Sequence, residues 1–479
     1  IGKIVMTGAS NWEDGQTNGG AVRLYDFGRK ASGEILLGVD SVTGPLASAD
    51  VDGDGAQDLF VGARTRAGRY PESGPSRWYR NQGGRFVVAQ TFDGLGLVSA
   101  AVFTDLNQDG APDLAVASEW GSVRVFYNES GRLVERDVGL KALQGWWTCL
   151  AVGDFDEDGF PDLAAGNWGS NHEYRAEPDR PRRLWYGDLR GMGSVDMIES
   201  YFPAELNAEA PHRGLMLLGR EFPFVREVAS TFDAYGRTTL QAMFGERLQS
   251  MQKLEAHFFL SAVFLNRGQK FELRPLPQEA QWSPIFGLVA ADCDGDGHED
   301  LAATMNFFGV AADGWRKDAG RGLILRGDGK GGFQAHHFSG LAIYGEGRGL
   351  AAGDFNGDGR VDLLAAQVGG PTHLYRNRKA VHGVRVSSLE ENGGVGISLR
   401  GRCKAGWGPL REIRAGNGSS SQDSTTLVIT SPAPLSELAV RQPGKEWVTN
   451  QVEPGAWEVQ IDPNGVLLYT RRTSPRQGP

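Results

Sequence analysis

Apolar residues in this chain come in short bursts between glycine-rich turns, and five bursts open with the same Asp-Leu pair: "DLFVGA" (58–63), "DLAVAS" (113–118), "DLAAGN" (162–167), "DLAATM" (300–305) and "DLLAAQ" (362–367). Runs this short, bounded by turn residues, predict strands. A second pattern follows downstream: apolar residues, Asn or Gly, a Gly-containing turn and another apolar residue. It reads "WYRNQGGRF" (78–86), "VFYNESGRL" (125–133), "VFLNRGQKF" (263–271) and "ILRGDGKGGF" (324–333), and it predicts hairpins. A turn, a strand, a hairpin and a further strand make one four-stranded blade, so the recurrence predicts an all-β chain folded as a β-propeller.

The turn before each strand carries the chemistry. Its pattern is Asp-x-Asp/Asn-x-Asp-Gly-x-x-Asp. The copies are Asp50, Asp52, Asp54, Asp58; Asp105, Asn107, Asp109, Asp113; Asp154, Asp156, Asp158, Asp162; Asp292, Asp294, Asp296, Asp300; and Asp354, Asn356, Asp358, Asp362. Calcium takes six to eight oxygen ligands, and alternate side chains at positions 1, 3 and 5 converge where the chain turns sharply at a glycine. Position 7 adds a backbone carbonyl, from Ala56, Ala111, Phe160, His298 or Arg360, and position 9 closes the site. An EF-hand would need Glu at position 12 between helices; Val61, Val116 and Ala165 stand there in the first three copies. Asx-rich turns alone would explain one copy, but like charges this close call for a cation. About five Ca²⁺ sites are expected, and five such ions would neutralise the formal charge of −10.

A sixth copy, Asp188 to Asp196, has Arg190 and Met192 at ligand positions and is read as a blade turn without metal. "KIVMTGAS" (3–10) resembles a strand that follows such a loop. Six repeat starts and this partial blade give seven blades as the expectation. Residues 203–256 interrupt the pattern. Val225, Val228, Phe232 and Tyr235, then Leu240, Phe244, Leu248 and Met251, have helical spacing, which predicts two helices on the propeller rim.

Composition narrows the classes. Basic and acidic residues are interspersed, so nucleic-acid binding is disfavoured. No apolar run is long enough to span a membrane. Cys149, Cys293 and Cys403 are too few and too far apart for a disulfide framework. No HExxH, GxSxG or Walker loop occurs, and no catalytic residue is assigned. His212, His336 and His337 read as surface or packing residues, and Arg326-Gly327-Asp328 as part of a hairpin turn. Most of the twelve tryptophans, Trp12 among them, are expected to fill gaps between blades; Trp168 and Trp315 are the candidates for an exposed ligand site.

The loops resemble the FG-GAP/VCBS repeats of integrin-α-type propellers. "GWWTCLAVGDFDEDGFPDLAAGNWGSN" (145–171) and "EFPFVREVASTFDAYGRTTLQAMFG" (221–245) look like bacterial exported proteins of the cartilage-acidic-protein-like group. "REIRAGNGSSSQ" (411–422), "LAVRQPGKEW" (438–447) and "EPGAWEVQI" (453–461) resemble an ASPIC/UnbV domain. The family's His-Phe-Gly-Leu-Gly run is missing, and "TTLVIT" (425–430) stands near its place. The division expected is a propeller over 1–379 and a small β-sandwich over 380–479. The function expected is a secreted, periplasmic or cell-surface module that binds a glycan or protein without catalysis. A structural subunit of a surface complex and a carbohydrate-active enzyme are the alternatives.

Overall fold

The computed structural model describes residues 4–9, 20–28, 30–36, 41–310 and 314–471. The chain lays down antiparallel sheets in sequence. A three-stranded sheet (Ile4–Ala9, Ala21–Asp26, Ala31–Leu36) comes first. The next sheet runs Thr43–Ala49, Asp58–Ala63, Ser76–Gln82 and Arg85–Phe92, each strand pairing with the one before. Sheets opening on Leu97–Thr104, Cys149–Gly153, Ile285–Ala291 and Gly347–Gly353 repeat the plan. Those opening strands are the inner ones, and they follow one another around a common axis. This is a β-propeller.

Its core lies between neighbouring sheets. Phe60, Phe92 and Phe126 meet edge to face between the second and third sheets. Fully buried Trp147 packs with Leu163 and Phe264 between the third and fourth. Aromatic side chains fill these wedges because a sheet that fans outward leaves a gap smaller residues cannot close. Trp78, Trp120, Trp146 and Trp147 are buried as expected; Trp12 lies outside the described residues.

Two expectations change. The sixth repeat start opens no blade on the ring. It forms the hairpin Arg182–Gly187/Asp196–Tyr201 in a separate sheet completed by Ala210–Pro211 and Gln252–Ala256. That sheet is inserted between Asp162–Gly166 and Ala262–Asn266, which pair directly with each other. Six sheets, not seven, therefore succeed one another among the described residues. In the turn of the inserted hairpin the Arg190 guanidinium binds Asp196, the residue at the ninth position. The helical part of 203–256 is also broken more finely than predicted, into Leu215–Glu221, Val225–Val228, Phe232–Arg237, Leu240–Phe244 and a 3₁₀ turn, Gly245–Ser250. They pack around Ile198 of the inserted sheet. Val228 and Phe232 are exposed, because a helix end falls between them and dissolves the stripe their spacing implied.

The C-terminal residues form two sheets around Val386, Leu399, Leu438, Val440, Val459 and Ile461. From them, residues 411–424 enter the propeller axis. Ser48 N–H donates to Ala415 O (2.9 Å) and Ala101 N–H to Gly418 O (2.7 Å). Arg414 reaches Val152 O, Ser419 reaches Phe286 O, and Asp423 accepts from Ala352 N–H. One segment thus touches all five inner strands of the second to sixth sheets.

Candidate metal loops and the opposite cleft

Each acidic loop joins an inner strand to the second strand of its sheet. The strands close identically: Ala49 faces Asp58, Thr104 faces Asp113, Gly153 faces Asp162, Ala291 faces Asp300 and Gly353 faces Asp362. The ninth-position aspartate is therefore the first residue of a strand, and it is completely buried in all five sheets. One of its oxygens accepts the N–H of the second loop residue (Val51, Leu106, Phe155, Cys293 or Phe355). The other accepts the N–H of Asn81, Asn128, Asn266, Gly327 or Asn377 from the following hairpin.

The remaining positions hold the turn open. The first-position carboxylate accepts the N–H of the glycine at position 6. That glycine has φ between 75° and 101° in every copy, a conformation side chains with a Cβ resist. The fifth-position carboxylate accepts the N–H of position 7. It is exposed in the first four copies and half-buried in the fifth, and the acidic sets that lie closest together are positions 1, 3 and 9. Asp50/Asp52/Asp58, Asp154/Asp156/Asp162 and Asp292/Asp294/Asp300 each bring ligand oxygens within 4.8 Å of one another. Asn107 and Asn356 replace the third carboxylate in the other two loops. Of the position-7 side chains, His298 reaches back to Glu157 of the neighbouring loop, and Arg360 donates to Ala380 O.

The electrostatics ask for a cation. Burial, with the neighbouring carboxylates adding to it, pushes Asp162 and Asp300 up to about 8 and Asp58 to about 6. Asp154 is raised to about 7, chiefly by burial. Asp154 Oδ1 and Asp156 Oδ1 are buried with no hydrogen-bond partner: two acceptors that lack a donor fit a metal ion. Arg80, Arg267 and Arg326 approach Asp52, Asp156 and Asp294 at 2.5–2.9 Å, and each guanidinium is 37–46 % exposed, so each supplies only partial neutralisation.

Two features escaped the sequence reading. The hairpin asparagine is a staple between sheets: Asn128 Nδ2 donates to Val51 O of the preceding loop, Asn266 to Leu106 O, and Asn377 to Cys293 O. Gly331 N–H does the same for Phe155 O. The recurrence of Asn was the available signal. The C-terminal sheets also cap the loop face: Arg441 binds Asp105 (2.6 Å), Leu410 N–H binds Asp154 (2.7 Å), Thr430 binds Asp292, and Arg385 approaches Asp354 (3.2 Å). Three of these contacts join residues 138 to 336 positions apart, and no local pattern encodes them.

The face at the other end of the inner strands is open. A cavity of about 660 Å³ lies there, lined by Ser99, Trp147 and Thr148, with Ser419 and Ser420 of the axial segment as its floor. A second, of about 760 Å³, shares Trp168, Tyr174, Glu199, Arg213 and Phe307 with it. Trp168 is half-buried against Trp146 and Phe307; Trp315 lines the second cavity and is 84 % exposed. Of the two tryptophans expected at an exposed site, then, Trp315 stands fully in solvent and Trp168 forms a wall.

A propeller whose blade turns are acidic strand-to-strand loops defines the class, and comparison agrees. Residues 50–116 and 105–165 match the FG-GAP-like repeat. The chain carries FG-GAP-like repeats similar to those of integrin α chains. It is 31 % identical to human integrin alpha-7 over 168 residues, 30 % of this chain and 14 % of that one. It is 30 % identical to chicken integrin alpha-V over 160 residues, 28 % and 16 % of the two chains. The match thus spans about a seventh of those relatives. The Vibrio cholerae biofilm matrix protein Bap1 aligns with 76 % of this chain and 74 % of its own at 14 % identity and a TM-score of 0.32, too distant to bear on the argument. No helix among the described residues is long and apolar enough to cross a membrane.

Proposed function

We propose that this chain is an extracellular, adhesion-type binding module whose acidic loops hold structural Ca²⁺ and whose ligand, a glycan or a protein, sits on the face away from them. The observation that carries the reading is the division between faces. The loop face is covered by the C-terminal sheets and the axis is filled, while the opposite face keeps two adjoining cavities walled by aromatic and charged side chains. Cavities of this size suit a ligand of several rings. Ca²⁺, held by positions 1, 3 and 9 with oxygens from positions 5 and 7, ties each inner strand to its neighbour. The resemblance of 380–479 to an ASPIC/UnbV domain fits a clamp for this arrangement.

The deciding measurement is the melting temperature of metal-stripped protein with millimolar Ca²⁺, with Mg²⁺ as control. A calcium-specific rise is expected; an equal rise with Mg²⁺, or none, removes calcium from the reading. Loss of ligand on Trp315→Ala is the matching test of the face.

One observation favours a second reading, a carbohydrate-active enzyme. His172, Tyr174 and His212 cluster in the second cavity with ring centroids 5.2 and 5.5 Å apart, beside Arg213. Chain shortening of a glycan on incubation with the protein, abolished by Tyr174→Phe, supports it; a glycan bound but left intact refutes it.

A further inference from the structure

The cleft opposite the metal loops has a charge of its own. The chain as a whole is acidic, with a formal charge of −10. The second cavity nevertheless carries Arg175, Arg213, Arg316 and Lys317 against Glu173 and Glu199. The acids are occupied: Glu173 pairs with Lys317 and Glu199 with buried Arg182. Arg175, Arg213 and Arg316 are exposed and have no ion-pair partner among the described residues. Three planar guanidiniums around one cleft form a recognition set for carboxylate or sulfate oxygens.

The aromatic groups point to what carries those oxygens. Trp315 presents a free ring beside Arg316, and Trp168 forms the wall shared by the two cavities. A sugar ring lays its C–H face on an indole and offers its acidic substituents to arginine. The floor, Ser419 and Ser420, is hydroxylated.

We propose that this cleft binds an anionic glycan, one whose sugar rings bear carboxylate or sulfate groups, with Trp315 and Trp168 as ring contacts and Arg213, Arg316 and Arg175 as anion contacts. The proposal rests on the binding-module reading and names its ligand class.

The test uses the full calcium-loaded chain and titration calorimetry against four polymers: polygalacturonate (carboxylate sugar), dextran sulfate (sulfate sugar), dextran (neutral sugar) and polyglutamate (carboxylate without sugar). Polygalacturonate or dextran sulfate is expected to bind, and whichever binds tighter assigns the anion. The double variant R213A/R316A, both positions exposed, is expected to weaken that binding by about tenfold or more; Trp315→Ala is expected to weaken it too, with melting unchanged. Dextran binding as tightly as the acidic polymers overturns the charge assignment, and polyglutamate doing so overturns the sugar assignment. Unchanged affinity in R213A/R316A also sinks the proposal. A neutral glycan lost on Trp315→Ala would keep the binding face and discard only its ligand class. A glycan whose binding ignores Trp315 would discard both.

Discussion

Asp162 and Asp158 belong to one loop but do different work. Asp162 accepts two backbone N–H groups in a dry environment, whereas Asp158 is exposed and accepts Phe160 N–H and, at 3.2 Å, the exposed Arg267 guanidinium. Asp162→Ala is expected to destabilise metal-free protein by about 2–4 kcal/mol, because it orphans two buried donors. Asp158→Ala should leave the metal-free melting temperature nearly unchanged and shrink only the rise produced by calcium. Melting curves of both variants, with and without Ca²⁺, separate the roles; equal effects on metal-free protein would contradict them. Glu412, at the root of the axial segment, tests electrostatics where that segment meets the second acidic loop. It accepts from Thr104, lies 3.7 Å from Arg414, and has Asp105 and Arg441 nearby. Burial pushes it from 4.5 up to about 7. The folded state therefore holds this proton more tightly than the unfolded chain. Its contribution is full below pH 4.5 and is lost as pH rises through about 7. Glu412→Gln should flatten the fall in stability across that window by on the order of 2 kcal/mol, read from urea unfolding at a series of pH values.

At the level of elements, the axial segment is held by backbone geometry. Gly418 has φ 73°, and a Cβ there would stand 1.9 Å from Leu150 O. Gly418→Ala should withdraw the segment from the axis and raise the rate at which a protease cuts within 411–424, a change visible by mass spectrometry. The asparagine staples are the matching link between sheets. Asn128→Ala removes donors to Val51 O and Pro112 O, and an expected loss of about 1–2 kcal/mol is measurable by urea unfolding. Wild-type stability in that variant would make the staple incidental.

For the molecule as a whole, the acidic loops sit at the joint between the propeller and the C-terminal sheets. Four first-position aspartates each touch a C-terminal residue. On the proposed reading, stripping calcium would leave buried carboxylates that repel one another, and the joint should loosen as the loops do. Chelation is expected to speed proteolysis between 376 and 384 ahead of any cut in the blades, with calcium restoring protection. Cuts appearing first in the blades would place the metal's effect within single sheets.

The repeat spacing, the glycine at position 6 and the alternation of acidic side chains were legible in the sequence because hairpin turns and strand pairing are local: each blade is built within one stretch of chain. The same locality made the candidate ligands legible, and it explains why the ninth aspartate's structural share was not, since its second partner comes from the next hairpin. The place of the sixth hairpin was misjudged for a related reason. A turn motif records that a hairpin forms, not which sheet it joins, and the motif at Asp188–Asp196 joined an inserted one. The axial segment, the cap over the metal loops and the gathering of Arg175, Arg213, Arg316, Trp168 and Trp315 around one cleft were decided by tertiary structure alone. The axial segment and the cap join parts of the chain far apart in sequence, and the cleft residues, from 168–175, 213 and 315–316, meet only where neighbouring sheets and the inserted one pack together.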